Sequence, residues 1–169
     1  ILEILKKIFL KRDFSFALNI LITILPVGVA GLLLSDLIES LPFFSSLIAI
    51  SVAMLVVGLL MYFVDKLPKL SSVKNLDSLP KSRAFLIGLA QVFDLIPGTS
   101  RSGTSILAGR VVGLNSEDAA DYSFLASIPI MGGVCLKMFL KSSSRAYFFA
   151  NLRTLALSNV VAFLSGLLR

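Results

Sequence analysis

The sequence predicts an all-α protein whose helices cross a membrane several times, as a polytopic helical bundle. Of its 169 residues, 56% are hydrophobic and 15% are charged, whereas charged residues make up about 25% of a typical soluble domain. The mean hydropathy is +0.91. Several long apolar blocks recur along the chain, so a cleaved signal peptide does not account for them. The lipid bilayer is therefore the first predicted partner.

Two complete spans are predicted in the first part of the chain. Uncharged runs of 22 and 25 residues cover positions 14–35 and 40–64, and a helix needs roughly 20 apolar residues to cross the hydrocarbon. We assign the spans to 14–34 and 41–64. The segment 35–40 holds two acidic residues and is predicted to be the turn between the spans.

Basic residues lie at both ends of this helical pair. The segments 6–12 and 65–83 are rich in Lys and Arg, whereas 35–40 is acidic. Because cytoplasmic loops of membrane proteins carry an excess of Lys and Arg, we predict that 6–12 and 65–83 are cytoplasmic and that 35–40 faces outwards. This orientation also explains the net charge of +6. No nucleic-acid-binding motif accompanies the basic residues, so no nucleic acid partner is predicted.

The chain is poor in side chains that bind transition metals or form disulfides. It has a single cysteine, Cys135, and no histidine. A disulfide framework and a thiol metal site are therefore excluded. Imidazole serves neither as a general base nor as a metal ligand within these residues. We assign no metal ligand to this chain.

Two half-length apolar segments follow, separated by polar residues. Segments 84–96 and 102–112 have 13 and 11 residues, too few to cross the hydrocarbon. Between and within them runs Pro-Gly-Thr-Ser-Arg-Ser-Gly-Thr-Ser at 97–105, which we call the polar loop. Non-helical backbone at membrane depth is tolerated only inside protein or beside a water-filled cavity. We therefore interpret 84–112 as a re-entrant hairpin that carries the active-site loop.

A full crossing by 84–112 is the alternative, and the charge distribution favours it. If the hairpin re-enters, the basic segment 141–153 lies outside, against the rule for Lys and Arg. We prefer re-entry because both halves are short. The rest of the chain is predicted to hold a third span at 122–140, a loop at 141–153 and the start of a fourth span. Residues 1–169 are thus predicted to be one transmembrane domain, incomplete at both ends.

The residue types of the polar loop suit a phosphate group. Arg101 would bind phosphate oxygens through its guanidinium fork and stabilise the charge that develops during phosphoryl transfer. Neighbouring hydroxyl groups would donate hydrogen bonds, and glycines let backbone amides approach an anion. We predict catalytic roles for Arg101, Ser100, Ser102 and Ser105, and substrate-binding roles for Gly98, Thr99, Gly103 and Gln91.

Less specific interpretations of the charged residues stay open. Arg101 would snorkel to the membrane interface while the hydroxyls cap helix ends, although the density of Ser, Gly and Pro around it favours a site. Asp94 would either form an ion pair with Arg101 or Arg110, or take part in binding a cation.

The order of these residues resembles that of a known family. The segments that carry the resemblance are Gly-Leu-Ala-Gln at 88–91, Leu-Ile-Pro-Gly-Thr-Ser-Arg-Ser-Gly at 95–103, and Ser-Phe-Leu-Ala-Ser-Ile-Pro at 123–129. They are similar to the signatures of the undecaprenyl-diphosphate phosphatases, the bacitracin-resistance family, and the similarity extends over the whole chain. Two positions depart from the family pattern: Ser105 replaces a threonine, and Asp94 stands where small apolar residues are usual.

The resemblance implies a hydrolase of the bacterial inner membrane. Such an enzyme converts undecaprenyl diphosphate to undecaprenyl phosphate and inorganic phosphate, which recycles the lipid carrier for peptidoglycan synthesis and confers bacitracin resistance. The implied fold is a pair of inverted repeats, each with a re-entrant helix-loop-helix. The implied partners are a polyprenyl diphosphate lipid and the bilayer, and a homodimer is a further partner to be tested.

The resemblance also implies a divalent cation, Mg²⁺ or Ca²⁺. Its carboxylate ligands belong to an amino-terminal family signature that this sequence does not contain, so we expect the ligands to lie outside these residues. We accordingly expect this 169-residue piece alone to be inactive.

A membrane transporter or flippase for an anionic lipid or phosphate is the rival function. Broken helices that meet at mid-membrane also form substrate sites in transporters. Such a protein would need a second anion site or carboxylates for a coupling ion, and Asp94 alone offers one here. Release of inorganic phosphate from a polyprenyl diphosphate distinguishes the two functions.

Overall fold

Helices account for nearly all of the chain that the computed structural model describes, which is residues 14–66 and 76–167. Two short 3₁₀ helices occupy Leu76–Ser78 and Gln91–Leu95. The α-helices of the described ranges, in chain order, are α1 Phe14–Ser40, α2 Leu47–Asp65, α3 Lys81–Ala90, α4 Arg101–Val111, α5 Ser116–Leu140, α6 Ser142–Ala150 and α7 Leu152–Leu167.

Three of these helices are long and apolar enough to cross a membrane. They contain the stretches Ser15–Ile38, Leu47–Val64 and Ser116–Leu140. The pair formed by α6 and α7 passes the same test together but is bent by 78°, which gives up to four spans by length and composition. The prediction of an all-α, polytopic membrane protein is therefore confirmed.

The outward faces of the first two helices are apolar. Leu32 and Leu33 on α1, and Leu47 and Ile48 on α2, are between 70% and 82% exposed. A soluble protein rarely presents continuous apolar surface of this kind to water. Lipid suits these side chains as a solvent, because leucine and isoleucine side chains form no hydrogen bonds that contact with hydrocarbon would break.

The predicted acidic turn at 35–40 is wrong, because α1 continues through it to Ser40. The turn lies instead at residues 41–46. The cause is Pro42: a proline disfavours the helical conformation of the residue before it, so the helix ends just ahead of Leu41. The acidic residues indicate only that this segment prefers water. The proline determines where the helix ends.

The predicted loop at 141–153 is also wrong, because it contains α6 and the first residues of α7. The sequence of α6, Ser-Ser-Ser-Arg-Ala-Tyr-Phe-Phe-Ala, holds neither glycine nor proline. Only Asn151 separates the two helices. The charges of the segment were therefore a poor guide to its backbone.

The chain divides into two compact units, residues 1–130 and 131–169. The core of the first unit is formed by apolar side chains from α1, α3, α5, the 3₁₀ helix Leu76–Ser78 and the turns before α3 and α5. They are Phe16, Leu76, Leu79, Ala84, Ile87, Leu114, Ala119, Tyr122 and Leu125. The second unit holds the end of α5 with α6 and α7. The prediction that 1–169 is one domain stays a prediction. Of the two predicted cytoplasmic segments, 6–12 lies outside the described residues, and so do residues 67–75 of the segment 65–83.

A buried hydrogen-bond network fixes α3 against α1 and α5. The Thr23 hydroxyl lies 2.9 Å from the carbonyl oxygen of Ala84 and 2.6 Å from the phenol oxygen of Tyr122. The Asn19 amide donates to the carbonyl oxygen of Leu79 over 2.8 Å. At Gly88 of α3, an added Cβ would overlap the backbone carbonyl of Thr23, so only glycine permits this approach. These contacts position the first arm of the predicted hairpin.

Candidate active site

The predicted hairpin is present as two short helical arms with a break between them. The first arm is α3 followed directly by the 3₁₀ helix Gln91–Leu95, and the second arm is α4, with 11 residues. Residues 96–100 are not helical. Of the polar loop, 97–100 thus form the break and 101–105 form the first turn and a half of α4. Whether the hairpin re-enters the membrane stays a prediction.

Gly98 forms the sharpest point of the break. Its φ is +96°, in the left-handed region that favours glycine. A Cβ at this position would also lie 2.5 Å from the backbone carbonyl oxygen of Ile50 in α2. Glycine is therefore required for the backbone conformation and for the close approach to α2. The break rests directly on the backbone of a spanning helix.

Thr99 closes the turn rather than facing out of it. Its hydroxyl lies 2.6 Å from the carbonyl oxygen of Ile96 and 2.9 Å from that of Phe93. Its amide donates to the carbonyl oxygen of Ile96 over 3.2 Å. The donors of Thr99 are thus used within the turn, which supports a role in shaping the break. Its predicted contact with substrate stays a prediction.

Ser100 is the N-cap of α4. Its hydroxyl oxygen accepts a hydrogen bond from the amide of Gly103 over 3.2 Å and lies 3.4 Å from the hydroxyl oxygen of Ser102. Both serine side chains are exposed. The amides of the first two helical residues, Arg101 and Ser102, have no acceptor within the helix. Backbone amides and the positive end of the helix dipole there favour an anion.

Arg101 begins α4 and is half-buried. Its guanidinium forms no hydrogen bond with any residue that the structure describes, so its five N–H groups stay available to a ligand. Behind it, Gly103 is buried, and a Cβ there would lie 3.0 Å from Ser100 Cβ and 3.1 Å from Val57 Cγ1. The structure thus brings Arg101, Ser100 and Ser102 together at one helix terminus. The Gly103 amide, by contrast, is used by the cap.

Ser105 lies one turn further along α4 and faces the neighbouring helix. It is 2% exposed. Its hydroxyl lies 2.9 Å from the carbonyl oxygen of Arg101 and 2.5 Å from the hydroxyl oxygen of Ser123 in α5. These contacts support a role in holding α4 against α5, and the predicted catalytic role stays a prediction. The sequence assigns no function to Ser123. The one signal in the sequence is that Ser123 begins the family-like segment 123–129.

Gln91 and Asp94 carry buried oxygens that no donor reaches. Gln91 is 1% exposed, and its Oε1 has no hydrogen-bond partner. The same holds for both carboxylate oxygens of Asp94. The charge of Arg101 acts on Asp94, so an ion pair of Asp94 with Arg101 stays a prediction. Arg110 instead donates through Nη1 to the carbonyl oxygen of Leu114 over 3.1 Å, at the far end of α4.

Asp94 lies close to the first turn of α4. The charge of Arg101 and the hydroxyl of Thr104 both act on its carboxyl group. The Thr104 hydroxyl also donates to the carbonyl oxygen of Ser100 over 3.1 Å.

No three His, Cys, Asp or Glu residues gather into a metal-binding group within residues 14–66 and 76–167. The unpaired oxygens of Gln91 and Asp94 nevertheless match the oxygen ligands that Mg²⁺ and Ca²⁺ prefer. The residues present therefore fit a divalent cation as partial ligands.

Comparison with known proteins places these features in a family. The family described as "Bacitracin resistance protein BacA" matches residues 1–169. An undecaprenyl-diphosphatase of Methanococcus vannielii is 32% identical over 99% of this chain and 64% of its own length. Undecaprenyl-diphosphatases of Laribacter hongkongensis and Myxococcus xanthus are 36% and 40% identical over 90% and 88% of the chain, which covers 55% and 48% of their lengths. The chain thus spans about half to two thirds of the relatives it matches, and it belongs to the BacA bacitracin resistance family.

Proposed function

We propose that the protein containing this chain hydrolyses undecaprenyl diphosphate to undecaprenyl phosphate and inorganic phosphate. The observation that carries the proposal is the first turn of α4. The Arg101 guanidinium, which hydrogen-bonds to none of the described residues, meets two exposed serines and two backbone amides there, at a positive helix end. The printed names of the relatives, undecaprenyl-diphosphatases, support the same substrate.

The terminal phosphate of the substrate would bind where these groups converge. Arg101 would bind two of its oxygens through the guanidinium fork. Ser100 and Ser102 would donate their hydroxyl hydrogens, since Ser100 uses only its oxygen in capping the helix. Gly98 brings the break against α2 and leaves the loop without a side chain at that point.

The polyprenyl tail would lie against apolar helix surface. α1 and α2 expose leucines and other large apolar side chains along their lengths, and the site is built from helices too short to reach across the hydrocarbon. A substrate with an anionic head and a long apolar tail needs both a polar pocket and such a surface. This pairing favours a lipid diphosphate over a soluble phosphate ester.

Hydrolysis would break the bond between the terminal phosphorus and the bridging oxygen. In one route, water would attack that phosphorus and lose a proton to the solvent, and undecaprenyl phosphate would leave with the bridging oxygen. In the other, a serine hydroxyl would attack and take the phosphoryl group, undecaprenyl phosphate would leave, and water would then hydrolyse the phosphoserine to inorganic phosphate and free serine. Arg101 and the α4 amides would stabilise the charge on the equatorial oxygens. A bound divalent cation would supply further neutralisation of the diphosphate.

We further propose that the protein resides in the bacterial inner membrane, with residues 65–83 in the cytoplasm. The basic residues of that segment support this orientation. In this setting the reaction would return the lipid carrier to peptidoglycan synthesis and would confer resistance to bacitracin, as the family's name suggests.

The direct test is release of inorganic phosphate from undecaprenyl diphosphate by the purified full-length protein that contains this chain, in detergent. We expect turnover by the wild type and a loss of about 10²–10³-fold in Arg101→Ala, the scale for removing one preorganised donor to the transition state. Arg145→Ala is the matched control, because Arg145 is exposed on α6. Phosphate release by Arg101→Ala at the wild-type rate would contradict the proposal. Movement of the intact lipid across vesicles without phosphate release would establish the transporter or flippase instead.

A further inference from the structure

The 3₁₀ helix before the break places two buried acceptor groups on one face. Gln91 and Asp94 stand three residues apart within Gln91–Leu95, and side chains at this spacing eclipse each other in a 3₁₀ helix. Together they present three oxygen atoms that are buried and have no hydrogen-bond partner. Buried polar groups are nearly always paired in folded proteins. A face with three unpaired acceptors therefore points to a missing ligand.

These oxygens lie beside the first turn of α4. Arg101 and Thr104 are the side chains whose charge and hydroxyl act on Asp94. The Thr104 hydroxyl is directed to the Ser100 carbonyl oxygen over 3.1 Å, and neither carboxylate oxygen has a donor in good hydrogen-bond geometry. The carboxylate of Asp94 thus lies next to the groups of α4 that suit an anion, with acceptor capacity left for a further ligand.

The chemistry of the three oxygens selects the kind of ligand. A carboxylate and an amide carbonyl oxygen donate no hydrogen, and they are ordinary ligands of hard divalent cations. We propose that Asp94 and Gln91 are ligands of a divalent cation, Mg²⁺ or Ca²⁺, bound beside the polar loop. The remaining ligands would be water and phosphate oxygens, because Mg²⁺ keeps several waters and commonly binds one or two carboxylates together with substrate phosphates.

This inference changes the expectation that all carboxylate ligands lie outside these residues. It rests on the proposed function only for the phosphate oxygens, since Asp94 and Gln91 are held in place by their own helix. Binding of the cation is therefore measurable without substrate. A lack of cation binding and a lack of phosphate release are therefore distinguishable results.

The test uses Mn²⁺ as a paramagnetic probe, titrated into the purified protein in detergent without lipid substrate and followed by electron paramagnetic resonance. We expect Asp94→Asn, which keeps the shape and removes the charge, to weaken Mn²⁺ binding at least tenfold. Gln91→Leu should weaken it less, and Gln91→Glu should strengthen it, because a second charge is added at the same length. Glu117→Gln is the matched control, because Glu117 is exposed at the start of α5. This variant should bind Mn²⁺ with the affinity of the wild type.

Wild-type affinity in Asp94→Asn, or no binding by the wild type at millimolar Mn²⁺, would overturn the inference. Gel filtration and circular dichroism establish that each variant is folded. If Asp94→Asn does not fold, Gln91→Glu decides the question, and unchanged or weaker binding in that variant also overturns the inference. Mn²⁺ binding lost in Asp94→Asn, in a wild type that releases no phosphate, would leave the cation site standing and remove the proposed function.

Discussion

The contact of α1 with α3 and α5 and the face of the 3₁₀ helix beside α4 are both polar and buried, but they differ in how far their groups are paired. The Thr23 hydroxyl lies within hydrogen-bond distance of Tyr122 and of two carbonyl oxygens, and Tyr122 also reaches the carbonyl oxygen of Asn19 over 3.1 Å. In this network only Asn19 Oδ1 is unpaired. By contrast, all three oxygens contributed by Gln91 and Asp94 are unpaired.

On the proposed cation site, this difference separates groups that hold helices together from groups that bind a ligand. Paired polar groups inside an apolar protein fix one arrangement of the helices, since any shift would leave them unpaired. Unpaired ones destabilise the protein until something binds. The predictions below, from the largest expected effect to the smallest, test whether this division is correct.

Replacing Arg101 should have the largest effect and should leave the fold intact. Arg101→Ala removes a guanidinium that hydrogen-bonds to none of the described residues, so we expect phosphate release to fall by about 10²–10³-fold, or about 3–4 kcal/mol in the barrier, while the midpoint of unfolding by SDS stays unchanged. A large fall in that midpoint would place Arg101 among the groups that hold the helices.

Gly88→Ala should have the largest effect on stability. The added methyl group would overlap the carbonyl of Thr23, and forcing α3 away from α1 should cost about 3 kcal/mol, measured as the loss of unfolding free energy in SDS. The same change at Gly28, where no atom lies within 4 Å of an added Cβ, is the matched control and should be neutral or stabilising. Equal stability of the two variants would show that α1 and α3 are not in close contact.

Thr23→Val keeps the shape of the side chain and removes the hydroxyl at the centre of the paired network. Tyr122 then loses one of its two partners, and we expect a loss of about 2 kcal/mol in unfolding free energy. Thr154→Val, at an exposed position of α7, should change stability by less. Phosphate release should stay within a few-fold of wild type. Its complete loss in a folded Thr23→Val variant would show that the paired network also serves the site.

Ser105→Ala should have the smallest effect and sharpens the comparison inside α4 itself. It removes the buried hydroxyl pair with Ser123, so we expect about 1 kcal/mol of destabilisation and little change in phosphate release. Ser102→Ala, at an exposed position, should instead leave stability unchanged and reduce the rate. If Ser105→Ala lowers the rate a hundredfold at unchanged stability, the predicted catalytic role of Ser105 is correct and the helix-packing role is not.

Features that are local in sequence were predicted well. Uncharged runs of sufficient length gave the first two spans, and Pro97 with Gly98 gave the break between two short helical arms. The errors arose where charge was used in place of backbone chemistry. At 35–40 and 141–153, residues that prefer water were interpreted as turns, although neither segment contains the glycine or proline that would end a helix.

The pairing of polar groups was not accessible from the sequence. Thr23 meets Tyr122 across 99 positions, and Ser105 meets Ser123 across 18. Nothing in the type or spacing of these residues distinguishes them from Ser100 or Ser102, which are exposed at the helix terminus. Only the packing of α4 against α5 decides which hydroxyl is used internally. For the same reason, the sequence alone left the roles of Asp94 undecided.

The contact of Gly98 with Ile50 ties the depth of the polar loop to that of a spanning helix. No side chain cushions this contact, so the break cannot slide along α2 without losing it. A spanning helix adjusts its tilt to the thickness of the surrounding hydrocarbon. Under the proposed function, the distance that a diphosphate head travels from the headgroup layer to Arg101 would then depend on the lipid composition as well as on the protein.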